Sequence, residues 1–329
     1  MSTLIAAILF VGVIAYALFG GADYGAGFWD LTAGGPARGR HARELINLSL
    51  SPVWEANHTW LIFCLVTIWT GFPQAFTAIT TTLYIPLGLA ALGIVARGAG
   101  FAFRHVLTRS RGERISGAVF ACSSVLTPYF FGTIAGGIAS GRVPSAGHGD
   151  ALTSWVNPTS ILGGVLAVTV CAYLAAVFLT GQAQRRGDTS LEKAFRYRAF
   201  GAGIAAGLVA LAGVFLLHTD SPRLFHQLRT VGAPLLAVSG VCGLAALLLL
   251  RRGRPSVVRT LAAIAIATVV AGWGVAQYPY LLGTHLTIQH AAAPAASLWV
   301  LFVVTCVAAG LIAPSLLVLY SLQLRRKLG

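Results

Sequence analysis

Few side chains in this sequence could do acid–base chemistry at membrane depth, and they cluster. Asp23 and Asp30 stand in GADYGAGFWDL, and Glu55 and His58 stand in SPVWEANHTWLIF. Glu55 and His58 are three residues apart, so a helix puts them on one face. A carboxylate beside an imidazole has the composition of a proton relay, because partial burial brings such groups into the neutral range. Plainer roles exist: Glu55 can complement a helix dipole, and His58 can be a hydrogen-bonded packing residue. Asp23 lies within an apolar segment, where an ionisable group marks a functional candidate. Asp30 borders a polar loop and reads as a solvated boundary residue. Arg97 and Arg104 bracket RGAGFAFR, again on one helix face. Arg104 reads as a snorkelling anchor. Arg97 is either a second anchor or the cation that keeps Asp23 or Glu55 ionised. Trp54 and Asn57 flank Glu55 and are candidates for tuning or interface roles.

The elements that must hold these residues are membrane helices. The chain has 329 residues, of which 57% are hydrophobic and only 10% charged. An ordinary soluble domain carries about 25% charged residues, so this chain cannot cover a soluble surface. The same balance excludes a disordered or nucleic-acid-binding protein. A mean hydropathy of +0.79 points to a polytopic membrane protein. A span needs about 20 apolar residues. Apolar segments run over 4–25, 53–71, 76–94, 115–138, 161–181, 200–217, 233–250, 257–276 and 298–320. In lipid each must satisfy its own backbone, which means helices, and no period-two alternation suggests a barrel. The expectation is one all-α integral membrane domain over 1–329 with nine transmembrane helices. The 38 glycines suit close helix packing.

The net charge of +14 is read by position. With the N-terminus outside, the inside loops and tail hold every Lys and Arg except Arg142, Arg223 and Arg229. Basic residues collect on the cytoplasmic side, so the topology is N-out and C-in, and both acid-bearing segments fall in the cytoplasmic half. No Lys or Arg precedes Arg38, so the first segment reads as a retained helix rather than a signal peptide. Trp155 and Trp299 fall near external boundaries and read as interface anchors.

Other chemistry finds little support. The five cysteines sit singly in apolar stretches and read as small buried hydrophobes. His285 and His290 fall on different helix faces with no carboxylate or Cys nearby, a poor metal site. No phosphate-binding glycine motif is present. Met1 is the only methionine, and His58 is the only histidine within the cytoplasmic half of a span. A multi-haem centre needs several axial donors at membrane depth, which this chain alone lacks.

Five blocks come in order: ADYGAGFWDL, SPVWEANHTWLIF, RGAGFAFRH, WVNPTSILGG and AQYPYL. Through them the sequence resembles subunit II of the cytochrome bd-type quinol oxidases over nearly its whole length. The resemblance implies nine transmembrane helices arranged as two four-helix bundles plus one peripheral helix. It implies a partner, subunit I, that carries haem b, haem d and the quinol site, with room for small accessory subunits. It places the chain among lipids of a bacterial plasma (inner) membrane, with no cofactor of its own. Such a complex oxidises quinol, reduces dioxygen to water and draws the protons from the cytoplasm. The family's proton-entry acid, which opens the second helix, falls on Glu55. The aspartate of the DxGxG pattern falls on Asp23. Some relatives have a second acid where this chain has Phe19, and many have a Glu where it has Ala102.

Joined to the residue reading above, this gives a working expectation in which Glu55, assisted by Asp23 and His58, relays cytoplasmic protons toward the partner while Arg97 tunes the acids. Two other readings stay open. Intramembrane acids near a helix break also suit a proton-coupled transporter. In a purely structural subunit the same acids would be interface glue.

Overall fold

Proline and glycine divide the apolar runs into a series of helices. They are α1 (Ser2–Leu31), α2 (Arg40–Leu50), α3 (Trp54–Gly71), α4 (Pro73–Thr82), α5 (Tyr84–Val106), α6 (Ser110–Ala139), α7 (Pro158–Arg185), α8 (Thr189–Asp220), α9 (Pro222–Thr230), α10 (Ala233–Leu249) and α11 (Pro255–Gln277). A short hairpin, β1 (Tyr280–Leu282) and β2 (Leu286–Thr287), leads to α12 (Ile288–Ala291) and α13 (Ala295–Arg325). The structure is a computed structural model. It describes the chain except residues 36–38, 51–53, 107–109, 251–253 and 326–329. Side chains at 50, 54–56, 104–106, 110–111, 113–114, 313, 316–317 and 319–325 also lie outside the description.

The helix starts follow from local chemistry. Proline occupies the first turn of α4, α7, α9, α10 and α11, where its missing N–H costs nothing. Asn157 caps α7 by accepting from the Ser160 N–H, and Asp188 caps α8 by accepting from the Leu191 N–H.

Helix α7 is the hub, packing against α1, α6, α8 and α11; α5 lies on α6, α10 on α11 and α3 on α1. Glycines make the hub possible. A Cβ at Gly132 of α6 or Gly163 of α7 would run into the other's backbone carbonyl, and one at Gly25 of α1 would overlap the Cys171 carbonyl of α7. One end of the bundle is closed by a cluster that includes Ile5, Phe72, Leu83, Val143, Leu282, Leu286 and Leu298. It ties the start of α1 to the α3–α4 bend, the loop after α6, the hairpin and the start of α13. At the opposite, basic end, Ala42, Leu45 and Ile46 of α2 pack with Ala26, Phe120, Leu179 and Phe195.

Among the described residues, seven helices are long and apolar enough to cross a membrane, and up to nine if each of two bent pairs counts as one span. The bent pairs correct the expected segments. The run 76–94 is not one element: α4 turns 116° from α3, and the long helix that follows begins at Tyr84 and continues to Val106. Pro73 starts a new helix just after Gly71, and averaged hydropathy does not register a change of direction. Arg97, expected at the helix end, therefore lies within α5. Likewise α1 continues six residues beyond the expected Gly25, because GADYGAGFWDL is buried as helix. Helices α2 and α9 were not expected, since each is apolar on one side only and too polar on average to stand out.

Candidate functional site

Three helices meet around Asp23. Gly27 of α1 lies against the Ser124 hydroxyl of α6, where a Cβ would overlap it. Gly100 of α5 lies against the α6 backbone, where a Cβ would come within 2.9 Å of the Ser116 carbonyl oxygen and the Phe120 nitrogen. With both backbones so close, the side chain of Arg97 reaches from α5 past α6 to α1. Its Nη2 donates to Asp23 Oδ1 at 2.8 Å and to the Asp23 carbonyl at 3.3 Å. Its Nε donates to Ser124 Oγ at 2.9 Å, and Ser124 in turn donates to the Phe120 carbonyl at 2.6 Å. The guanidinium carbon lies 5.0 Å from the Tyr24 ring centroid and 4.9 Å from that of Phe120. Both side chains of the ion pair are 4% exposed.

Removing two charges from water is costly unless they are paired and hydrogen-bonded. Arg97 meets this condition with an ion pair, a hydroxyl and two aromatic faces. Asp23 meets it on one side only, because its buried Oδ2 has no hydrogen-bond partner among the described residues.

The other expected residues fall as follows. Asp30 is not a solvated boundary residue. It is 3% exposed and receives Arg43 Nε at 2.8 Å. Arg43 comes back on α2 and also donates to the Gly34 and Gly35 carbonyls, so the loop after α1 covers the acid. On α3, Asn57 is buried and His58 half-buried. The side chains of Glu55 and Trp54, like that of Arg104, lie outside the described residues, although Trp54–Gly71 is helical and packs on α1. Phe19 stacks on Trp60 with centroids 6.3 Å apart. Ala102 is exposed. His285 and His290 are both exposed, and no group of three or more His, Cys, Asp or Glu gathers among the described residues. Cys122 and Cys306 face outward rather than inward, which an apolar solvent permits. Trp155 packs partly into the cluster at the α1 start and donates to the Ala151 carbonyl.

A second charged cluster, which the sequence did not single out, lies at the other end. Arg142 donates from Nη2 to Asp220 Oδ1 at 2.7 Å and from Nη1 to Oδ2 at 3.0 Å. The Thr159 N–H and hydroxyl both donate to Oδ2. The Asp220 carboxylate raises the Arg142 guanidinium above its ordinary value. Nearby, Arg223 donates to the Gly283 carbonyl at 2.7 Å and lies over the Tyr280 ring.

The family profile described as cytochrome bd terminal oxidase subunit II matches residues 1–323. The chain belongs to that family. It is 25% identical over 256 residues to the cytochrome bd ubiquinol oxidase subunit 2 of Bacillus subtilis (strain 168), spanning 76% of this chain and 71% of that one. It is 26% identical over 225 residues to the cytochrome bd-I ubiquinol oxidase subunit 2 of Escherichia coli (strain K12), spanning 64% of this chain and 56% of that one. The structure of bd oxidase from Geobacillus thermodenitrificans matches its fold with a TM-score of 0.83, at 24% identity, over 98% of both chains.

In this subunit II chain the neutral members of the site were invisible in the sequence. Ser124, Phe120, Tyr24 and Tyr16 carry no charge and leave no mark on hydropathy. Only the four-residue spacing of Tyr16, Gly20 and Tyr24 on one helix face could have pointed to them.

Proposed function

We propose that this chain is the haem-free second subunit of a quinol:oxygen oxidoreductase, supporting a haem-bearing subunit I and carrying part of its cytoplasmic proton-entry path. Glu55 takes protons from the cytoplasm. Asp23 receives them on Oδ2, with His58 beside the route on α3, and Arg97 holds Asp23 in place. The protons leave at the interface with subunit I, where dioxygen is reduced and quinol is oxidised. The observation that carries this reading is the half-satisfied Asp23, buried in an ion pair with one oxygen open.

The donor set of this chain does not suit haem. Met1 is the only methionine, and of the described histidines only His58 is not exposed. We therefore place haem b and haem d in subunit I. The two bent helix pairs allow nine spans, the distribution of Lys and Arg supports N-out and C-in, and we take the layout as two four-helix bundles plus a peripheral helix. The basic end then faces the cytoplasm, and the membrane is the bacterial plasma membrane.

The test is turnover per haem in the purified complex after Glu55→Gln and Asp23→Asn. Slowed quinol oxidation with a normal haem spectrum supports the relay. Normal kinetics in the double variant would instead make the acids interface glue. Substrate uptake by the chain alone in liposomes would favour a transporter.

A further inference from the structure

The structure places a second pair of polar side chains behind the Asp23–Arg97 pair. The hydroxyls of Tyr16 and Tyr24 lie 3.0 Å apart, with the rings edge to face. The two residues are eight apart on α1, about 12 Å along the axis, so they meet only by leaning toward each other over Gly20. A Cβ at Gly20 would stand 2.9 Å from the Tyr16 ring. Tyr16 is held from the other side by an edge contact to Phe131 of α6, at 5.7 Å between centroids.

This bond has a direction of influence. Tyr24 is 3% exposed, and its ring forms one wall of the slot that holds the Arg97 guanidinium; Phe120 forms the other. Were the Tyr24 ring to tilt, that wall would move. The Arg97 plane would then turn, and with it the Nη2–Oδ1 bond that leaves Oδ2 open. The Tyr16 hydroxyl is the hydrogen-bond partner of the Tyr24 hydroxyl at the far end of that ring.

We propose that Tyr16 is a positioning residue for Asp23, acting through the Tyr24 ring and Arg97 to keep one carboxylate oxygen held and the other open. The inference rests on the relay reading above and adds to it a residue that touches neither Asp23 nor Arg97 through a hydrogen bond. Its function is geometric: it passes no proton itself and binds no substrate.

The experiment is Tyr16→Phe in the purified oxidase complex, beside Asp23→Asn. Tyr16→Phe keeps the ring and its contact with Phe131 and removes only the hydroxyl. The expected result is a kcat lowered about two- to tenfold, an unchanged KM for quinol, an enlarged solvent deuterium isotope effect and a full haem complement. Tyr24→Phe breaks the same bond from the other side and should reproduce it. Slowed turnover in Asp23→Asn with unaltered kcat and isotope effect in Tyr16→Phe overturns the positioning role alone. Unaltered turnover in Asp23→Asn removes the relay reading and the positioning role with it. Failure of both Tyr variants to assemble also overturns the proposal, because the bond would then be a folding contact.

Discussion

Three aspartate–arginine pairs tie separate parts of the chain together among the described residues, and two of them, Asp23 with Arg97 and Asp220 with Arg142, are completed differently. At the end away from the basic residues, Asp220 receives Arg142 on both oxygens and Thr159 twice on one of them. Both oxygens of the carboxylate are hydrogen-bonded, so it is saturated. It joins the loop after α6 to the ends of α7 and α8. At the other site, Asp23 receives Arg97 on Oδ1, and its buried Oδ2 has no hydrogen-bond partner among the described residues. The saturated pair is 13% exposed at the acid and 33% at the arginine, whereas both members of the open pair are 4% exposed. The group with more to lose from incomplete bonding is the one left incomplete. On the proposed relay, the completed pair is a clamp and the open oxygen of Asp23 is the proton acceptor.

Variants can break or sharpen this contrast. Arg97→Leu should have the largest effect, since it strands a buried carboxylate; breaking such a pair costs about 3–5 kcal/mol. The expected outcome is little assembled oxidase, read from the yield of haem complex. Asp23→Asn strands the Arg97 cation, but the guanidinium keeps Ser124 and the two rings and the amide keeps the shape, so the yield of haem complex should fall less than in Arg97→Leu. Turnover should fall about 10- to 100-fold, within the range for loss of an acid–base group. Asp220→Asn should do the reverse. It should lower thermal stability by about 1 kcal/mol, the value of a charged hydrogen bond discounted for its exposed partner, and leave turnover per haem unchanged. A drop in turnover there would erase the contrast between the two pairs.

The smallest effect belongs to the surface pair of His41 and Asp188, 2.8 Å apart with His41 63% exposed. His41→Ala should change neither melting temperature nor turnover. Asp188 keeps its own role as the α8 cap. The Leu191 N–H, then the Ser190 hydroxyl, hold its carboxyl below the ordinary range. A depressed carboxyl stabilises at pH above its unfolded value and loses that contribution as pH falls through the lowered one. The cap should therefore survive mild acid, which hydrogen exchange at the α8 start would measure.

Much of the architecture was legible because apolar length is a strong signal. The positions of α1, α6, α7, α8 and α11 follow from it. It failed where direction or pairing decides. Hydropathy joined residues 76–94 because it averages composition and cannot register the turn between α3 and α4. It placed Arg97 at a helix end because a guanidinium reads as polar whether or not Asp23, Ser124 and two rings surround it. It left Asp30 in water because nothing local announces that Arg43 returns from α2 to cover it. The acids of the site were visible as anomalies in apolar surroundings. Their neutral partners were not, since Ser124, Tyr24 and Tyr16 are unremarkable in any membrane helix.

Asp23 and Arg97 lie 74 residues apart in the chain. At a synthesis rate of about 5–20 residues per second, the acid precedes its cation by about 4–15 s. Over that interval α1 carries an uncompensated aspartate, which would cost about 2.5–3.5 kcal/mol at the centre of a bilayer-spanning helix and costs less at the off-centre position of Asp23. The Gly25 contact with the Cys171 backbone forms later still, once α7 has been made. The first helix is thus committed to the membrane as a debtor, and its settlement depends on α5 arriving in register. A nascent chain stopped before α5 should be extracted and degraded faster than one stopped just after α6, so the same ion pair that shapes the site also sets the point in synthesis from which the first helix is secure.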